Sequence, residues 1–379
     1  MNILIYYPYN ARTVALQSEM EMLVHHGHKV VLLTSCERGW LHDYIGKHGV
    51  VTESVENKTH SKIRFYLFNL RQLISALRRH RIDVVIAHQQ IPALIAGILR
   101  KGGKFGLIYV RHNSDEDYQG YPVKAWLLNK MANCLTPVKV APSSVVQKFW
   151  IDVEKARPSQ INRINYGYDF QQYEQPVEVE VEKIRNTYRA NLLILSMARL
   201  VPAKRHREMF SVIARLVKEG ADVKMICLGG GRLEKELRRL VNAMSLQKHV
   251  FLLGRKENIF DYIQAADVFM HLSSTEASNS AVKEAGLCRK PIIICRGVGD
   301  FEDYVVHGQN GFLVARDAPD EEAYGILSAI AKNQVDTVNI GAALYKTVTQ
   351  SFHINNIAAD YERILQDVMG SKPIFKDAL

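Results

Sequence analysis

The chain has 379 residues, of which 47% are hydrophobic and 23% are charged. This length exceeds one average domain, and the composition excludes a disordered, collagen-like or coiled-coil protein. Lys and Arg outnumber Asp and Glu by 49 to 39, which gives a formal net charge of +10 and favours anionic partners such as lipid, nucleotide or nucleic acid.

The cysteine pattern and the hydropathy indicate a cytoplasmic protein. Five cysteines are an odd number, and no two of them form a Cys-x-x-Cys pair, so neither a disulfide framework nor a zinc site is predicted. The first residues, 1–7, lack the features of a signal peptide, and no run of about 18 apolar residues occurs. We therefore expect a location in the cytoplasm or on the inner face of a membrane.

Short apolar strands alternate with helical patterns through the first half. A helix is predicted over 15–26. The predicted strands are 2–7, 29–34, 83–87, 106–110 and 139–141. Near-continuous apolar strands separated by helices predict a parallel sheet covered on both faces. The first half is therefore predicted to be one doubly wound α/β domain.

The alternation stops at 171–186, a polar stretch rich in Glu that we interpret as a domain boundary. It then resumes with predicted helices over 208–219 and 233–244. The predicted strands are 192–197, 223–228, 250–253, 268–271 and 291–295. The expected organisation is a domain over 1–172, a second over 187–350, and a segment over 351–379 whose helix returns to the first domain. Two tandem doubly wound Rossmann-like domains would face each other across a cleft, where open α/β sheets bind ligands.

The stretch 271–286 carries two candidate carboxylates. It follows a predicted strand and leads into a helix that is predicted to start near Asn279 or Ser280, where free N–H groups suit an anion. Glu276 precedes this helix and Glu284 lies eight residues later, so the two side chains are predicted to share one side of the element. Carboxylates accept hydrogen bonds from the paired hydroxyls of a sugar or ribose. The alternative is a helix-start acid and a solvated surface charge.

Two basic residues follow the strand 192–197. Arg199 leaves its carboxyl end and Lys204 comes at the start of the next helix, an arrangement that suits a diphosphate unless both cations are simply solvated. The glycines at 229–231 form another strand-to-helix turn that allows close backbone approach. Their spacing matches neither a dinucleotide-binding glycine motif nor a phosphate loop.

These features, taken together, resemble glycosyltransferase family 4, whose members are retaining, metal-independent enzymes of the GT-B fold. The matching stretches, in order along the chain, are 165–169, 199–204, 229–231, 254–255, 265–268, 276–284, 297–303 and 310–314. The resemblance covers the whole second half well and the first half loosely.

The resemblance implies a role for each matching residue. Arg199 and Lys204 would hold the diphosphate of a nucleotide-sugar donor and stabilise the charge of the leaving group. Glu284 would accept from the ribose hydroxyls, and Glu276 from hydroxyls of the transferred sugar. The remaining donor-binding positions are the backbone of Ser278, Asn279 and Ser280, together with Gly230 and Arg255.

The mechanism implied by the resemblance needs no protein base, because the departing phosphate takes the proton of the acceptor. No metal or other cofactor is expected, and electrostatic support of the leaving group would be the main catalytic contribution. His112 resembles the histidine that family members place near the donor sugar, and we include it as a catalytic candidate; the alternative is a structural histidine. His88 lies at a similar strand end, and of its two interpretations, a residue facing the acceptor or a structural histidine, we favour the structural one.

Several positions depart from the family pattern. The first loop, 8–13, lacks the paired glycines that commonly lie near the phosphates, although Arg12 offers a charge there. Ala277 replaces a common glycine, and Asp300 stands where a second glycine is common. Because sugar-contacting positions are altered, the identity of the donor cannot be inherited from the family.

The segment 58–82 has seven basic residues and no acidic one, with aromatic residues among them. We expect that it can rest on an anionic membrane surface, while its apolar positions at helical spacing pack against the sheet. No nucleic-acid partner is expected, because no recognised binding module accompanies the charge.

The sequence therefore predicts a transferase that moves a sugar from a nucleotide diphosphate to a hydroxyl of a sugar, glycan or lipid-linked acceptor, in surface polysaccharide or glycolipid assembly. The main alternative is an inactive pseudo-transferase that binds nucleotide-sugar as a partner protein. A nucleotide-sugar epimerase would need more acid and base residues, and an exported sugar-binding protein would need an export signal.

Overall fold

The structure, a computed structural model, describes residues 1–10, 13–54, 61–100, 105–112 and 122–370, with only the backbone described at residues 62 and 63. The chain divides into two compact units. Unit 1 comprises Met1–Phe170 together with the segment from Phe352 on, and unit 2 comprises Gln171–Ser351.

Unit 1 is built on a parallel sheet of seven strands in the order β3-β2-β1-β4-β5-β6-β7. The strands are β1 Asn2–Tyr7, β2 Lys29–Thr34, β3 Val51–Glu53, β4 Val84–His88, β5 Gly106–Val110, β6 Val138–Ala141 and β7 Ile161–Arg163. Its helices are α1 Val14–His25, α2 Trp40–Gly46, α3 Lys62–Arg79, α4 Gln90–Arg100, α5 Pro122–Leu135, α6 Ser144–Asp152 and the C-terminal α15 Ile354–Gly370. The central strands β4 and β5 are buried along their whole length, as expected for a sheet with helices on both faces.

Unit 2 repeats this plan with a six-stranded parallel sheet in the order β10-β9-β8-β11-β12-β13. The strands are β8 Leu192–Met197, β9 Val223–Leu228, β10 Val250–Gly254, β11 Val268–His271, β12 Ile292–Cys295 and β13 Phe312–Val314. The helices are α7 Glu178–Thr187, α8 His206–Lys218, α9 Glu234–Ala243, α10 Ile259–Ala265, α11 Ser280–Leu287, α12 Phe301–Tyr304, α13 Pro319–Ala331 and α14 Thr337–Phe352. The prediction of two tandem Rossmann-like α/β domains is confirmed.

The C-terminal helix α15 belongs to unit 1, where it packs against α1, β4 and β5. Its buried apolar residues, among them Ile357, Tyr361 and Leu365, join the same core as the strands of the unit 1 sheet. A Cβ atom at Gly106, the first residue of β5, would lie 2.0 Å from the Val368 side chain of α15. The absence of a side chain at this position is therefore what lets α15 approach β5.

The structure differs from the predicted elements in short or polar segments. The strands β3, β7 and β13 were not predicted, because each is only three residues long and gives almost no alternation to detect. The predicted boundary 171–186 contains most of helix α7. Acidic residues in the first turn favour this helix, and Ile184 is its one buried residue. None of the helices in the part of the chain that the structure describes combines the length and the apolar character of a membrane span.

Candidate active site

The candidate donor-site residues follow consecutive strands of the unit 2 sheet. Because these strands are parallel, their carboxyl ends lie along one edge. The residues at this edge are Arg199 after β8, Gly230 after β9, Arg255 after β10, Glu276 after β11 and Asp300 after β12. The sheet therefore brings segments that are up to a hundred residues apart in sequence to one edge.

Glycines hold the turns after β8 and β9 against each other. The Leu200 amide donates to the Gly230 carbonyl at 3.0 Å, and the Leu233 amide donates back to the Leu200 carbonyl at 3.1 Å. A Cβ at Gly231 would lie 2.5 Å from the Leu200 oxygen, whereas one at Gly230 would meet nothing within 4 Å. The turns after β8 and β9 therefore pack closely because Gly231 has no side chain. Gly230, in contrast, has open space beside its Cα.

Lys204 and Arg199 have different environments although both follow β8. Lys204 lies in a single 3-10 turn, Pro202–Lys204, and is buried. Its Nζ donates to a Glu276 carboxylate oxygen and, at 3.3 Å, to the Ser273 hydroxyl. Arg199 is exposed at the edge. The structure therefore fixes one of the two predicted cations and leaves the other on the surface.

Glu276 accepts hydrogen bonds from two different elements. Besides Lys204, the His271 Nε2 lies 2.7 Å from the same carboxylate oxygen. Burial acts to raise the pKa of the Glu276 carboxyl, but the hydrogen bond from His271 and the charges of His271 and Lys204 outweigh burial and hold the pKa well below its usual range. Glu276 is therefore a carboxylate at neutral pH, and its partly exposed side chain keeps acceptor capacity for further donors.

Asn279 caps the N-terminus of helix α11. Its Oδ1 accepts from the Val282 amide at 3.1 Å, which is an N-cap, and its Nδ2 lies 3.1 Å from the His271 Nε2. Ser280 is the first residue of the helix and is exposed. The prediction of a helix start near Asn279 or Ser280 is confirmed.

A buried ion pair lies beneath the same loop. The Lys283 ammonium and the Asp300 carboxylate are in contact, and both side chains are almost fully buried. The Ser278 hydroxyl donates to Asp300 at 2.6 Å and accepts from Lys283 at 2.9 Å. Burial raises the pKa of Asp300 and lowers that of Lys283, and the contact between the two groups opposes both shifts. The pair thus fixes the side chain of Ser278, a predicted donor-binding residue.

Sequence reasoning did not identify His271 or Lys283 as part of this site. His271 is the last residue of β11, and its position at a strand end could have identified it as a candidate site residue. Lys283 lies within α11, and its partner Asp300 is 17 residues away, so the pairing depends on the fold. Glu284 lies next to Lys283 on α11 and is also buried. Its role, like those of Arg199, Gly230 and Arg255, stays a prediction.

In unit 1, His112 follows β5 and forms hydrogen bonds with two side chains. The Tyr166 hydroxyl donates to the Arg111 carbonyl at 3.1 Å, so at 2.8 Å it accepts from the His112 Nδ1–H. The His112 Nε2 then accepts from the His88 Nδ1 at 2.8 Å. Burial, with the neighbouring His88, holds the pKa of His112 well below its usual value, so the ring is neutral. For His112 to contact a donor sugar through Nε2, it would have to release His88.

Arg12, the charge offered by the first loop, lies outside the described residues, as do residues 58–60 of the predicted membrane segment. The described part of that segment contains the whole of α3, where Arg64, Arg71 and Arg78 are exposed.

Two family models match the chain and together cover most of it. The model described as Glycosyltransferase Family 4 matches residues 15–172, and the model described as Glycosyl transferases group 1 matches residues 180–343. The first match lies in unit 1 and extends two residues into unit 2, and the second lies within unit 2.

Curated proteins that are similar to the chain are also glycosyltransferases. The N-acetyl-alpha-D-glucosaminyl L-malate synthase of Bacillus anthracis is 22% identical, with 79% of this chain and 78% of that protein covered. The alpha-monoglucosyldiacylglycerol synthase of Acholeplasma laidlawii is 24% identical, with 68% and 69% covered.

A solved structure with the same fold is that of Anabaena Alr3699/HepE in complex with UDP-glucose. It superimposes with a TM-score of 0.83 at 20% identity, and the match covers 97% of this chain and 100% of that one. The sheets described above and this neighbour identify the fold as GT-B.

Proposed function

Because this chain belongs to the glycosyltransferases of the family 4 type, we propose that it moves a hexose from a nucleotide-diphosphate sugar to an acceptor hydroxyl with retention of configuration. The donor we propose to test first is a UDP-sugar, since Anabaena Alr3699/HepE is solved with UDP-glucose. The acceptor we propose is a glycan or a glycolipid, in line with the diacylglycerol named for the Acholeplasma laidlawii relative.

The observation that carries this proposal is the buried Lys204 held by Glu276 and Ser273 at the carboxyl edge of the unit 2 sheet. A cation fixed by a carboxylate is pre-organised, so it costs no reorganisation when negative charge develops on a departing diphosphate. Arg199 follows the same strand and would add a second, adjustable charge. Glu276 would accept from sugar hydroxyls beside them, and Glu284 from the ribose. The proposed mechanism draws its positive charge from side chains and requires no metal.

The proposed setting is the surface of an anionic membrane, reached through the basic residues of 58–82. Exposed arginines on α3 support this, since each basic residue near an anionic surface contributes about 1 kcal/mol.

The test is a thermal-shift panel with UDP, GDP, ADP and CMP and their common sugar forms, because a ligand that binds only the folded protein raises Tm. We expect one nucleotide to raise Tm, and Arg199→Ala and Glu284→Gln to abolish the shift. Arg239→Ala, which removes an exposed arginine of α9 in the same unit, is the matched control and should keep it. The anomeric proton coupling of the product, measured by NMR, then reports retention or inversion.

An absence of any shift across the panel would contradict the donor proposal and favour the pseudo-transferase. That alternative depends on the altered first loop, whose Ala11 and Arg12 lie outside the described residues. A shift without turnover of the bound sugar, with monosaccharide, glycan and diacylglycerol acceptors all supplied, would favour it as well.

A further inference from the structure

Helix α5 of unit 1 leaves most of its large apolar side chains outside the protein core. Its buried residues are Ala125, Asn129, Ala132 and Asn133, and the Asn133 amide donates to the buried Glu154 at 2.6 Å. Large apolar side chains face outward instead. They are Val123, which is 79% exposed, Leu127, which is 53% exposed, Trp126 and Met131. A surface helix of a globular protein normally shows the reverse pattern.

The outward side chains form one stripe. Positions 123, 126, 127 and 131 recur at intervals of three and four, so they lie on one helical face, which we call the α5 stripe. Single exposed apolar residues are ordinary, but a face of this kind marks a contact surface. Helix α4 packs against both α5 and α3, and these neighbours also expose apolar side chains, at Ile98 and Leu67.

The part of the sequence that contains the stripe is strongly basic. Residues 57–151 contain fifteen Lys and Arg against four Asp and Glu, a net charge of +11, so this quarter of the chain carries all of the +10 of the whole. Helix α5 itself has Lys124 and Lys130 and no acidic residue. The Lys130 ammonium lies 4.5 Å from the ring centroid of Trp126, which places a cation directly beside the apolar stripe.

We propose that the α5 stripe inserts into the interfacial region of an anionic membrane, while the basic residues of α3 and α5 lie on the headgroups. A helix face with a Trp, aliphatic side chains and flanking lysines is typical of helices that lie in the interfacial region of a membrane. A second copy of this chain is a poorer occupant, because it would bring an equally basic surface to the contact. The inference extends the proposed function, since it rests on a lipid-linked acceptor and names the element that holds the enzyme at the bilayer.

The test is flotation of the full chain with vesicles of phosphatidylcholine alone or mixed with phosphatidylglycerol. We expect binding to the anionic vesicles that persists in part in 0.5 M NaCl, since salt screens the charges but not apolar insertion. A Trp126→Ser/Leu127→Ser variant is expected to lose about tenfold or more in partitioning. Val338→Ser removes a comparably exposed apolar residue from unit 2 and is expected to bind as the unchanged protein does.

Fluorescence reports insertion directly. In a Trp40→Phe background the remaining tryptophans are Trp126 and the fully buried Trp150, so a blue shift on adding anionic vesicles reports Trp126. The proposal is overturned if the double variant binds vesicles as well as the unchanged protein, or if the emission does not shift. It is also overturned if sedimentation shows a dimer without vesicles that the double variant loses.

Transfer to a water-soluble acceptor separates this inference from the proposed function. The double variant should keep that activity, because the α5 stripe lies in unit 1 and away from the donor-site residues of unit 2 in sequence. If the unchanged protein binds vesicles as expected but neither it nor the double variant transfers sugar, the proposed function is contradicted and the proposal that the α5 stripe binds membranes still stands.

Discussion

Lys204 and Glu276 are in direct contact, so removing the Lys204 ammonium removes a positive charge beside the Glu276 carboxylate. Lys204→Met should lower kcat by about 10²- to 10³-fold, the usual effect of removing one pre-organised electrostatic contact to a developing charge. The measurement is steady-state kinetics with whichever donor the thermal-shift panel identifies. Lys218→Met is the matched control. It removes an exposed lysine at the end of α8, the helix that follows Lys204, and should leave kcat unchanged.

A purely structural role for Lys204 would give a different result. The variant would then lose stability, because the Glu276 carboxylate would lose its ammonium partner, but the remaining folded protein would turn over normally. Equal kcat values per folded molecule, with folded protein counted by circular dichroism, would contradict the proposed catalytic role.

His206 gives the protein an acid-sensitive group close to the same site. It is the first residue of α8, it is buried, and neither ring nitrogen has a hydrogen-bond partner among the described residues. Burial, followed by the nearby His271 and Lys204, lowers the pKa of His206 from 6.5 to about 4. Between these values the unfolded chain binds a proton that the folded protein does not, so stability falls as the pH falls.

His206→Leu should therefore flatten the pH dependence of unfolding. The unchanged protein should lose about 2 kcal/mol between pH 7 and pH 5 from this group alone. Urea unfolding at the two pH values measures the difference, and His25→Leu, which removes an exposed histidine, is the control that should keep the slope. The same pH dependence in the His206→Leu variant would show that the titrating group lies elsewhere.

At the scale of elements, the pair Lys283 and Asp300 joins helix α11 to the turn before α12. Asp300→Asn should destabilise the fold by about 3 kcal/mol or more, because it leaves the Lys283 ammonium buried without a counter-charge, and Lys283→Met should cost a similar amount for the opposite reason. The double variant should be more stable than either single one. Urea unfolding of all four proteins forms the cycle, and additive losses would contradict the coupling.

The regular elements were largely predictable from the sequence, whereas their side-chain partners were not. Strands β1, β2, β5, β8, β9 and β11 were predicted residue for residue, because buried parallel strands are continuous apolar runs. The three-residue strands and α7 were missed, since short or polar segments are fixed by their neighbours. Helix α7 is held by the Arg185 contact with Asp267 and by packing on α10. Neither partner can be read from local pattern.

In the candidate site, too, the positions of residues along the chain were predictable and their side-chain contacts were not. The positions of Lys204 and Glu276 in the loops after β8 and β11 followed from the alternation of strands and helices, but their direct contact joins two segments 72 residues apart. The buried Lys283 was not expected as part of the site, because lysine in a helix normally signals a solvated face. The outward-facing apolar side chains of α5 were not predicted either, since a surface helix normally turns such residues toward the core.

At the scale of the whole molecule, unit 1 is discontinuous in sequence and is completed by the last helix. Helix α15 buries seven residues against it, namely Ile354, Ile357, Ala358, Tyr361, Ile364, Leu365 and Val368. Full burial of a large apolar side chain contributes about 1.5–3 kcal/mol, so these side chains together are comparable to the net stability of a domain. Unit 1 is therefore expected to depend on α15 for its folding.

A chain truncated after Ser351 should thus lose unit 1 and keep unit 2. Limited proteolysis with mass spectrometry should yield a resistant fragment close to 171–351, whereas the full chain should be protected in both units. The substitution Tyr361→Ala within the full chain is a milder form of the same test, and Val338→Ala in unit 2 is its exposed control. If the truncated chain keeps unit 1 protected, then β1 to β7 fold on their own and α15 merely covers them, which would contradict the dependence inferred from its buried face.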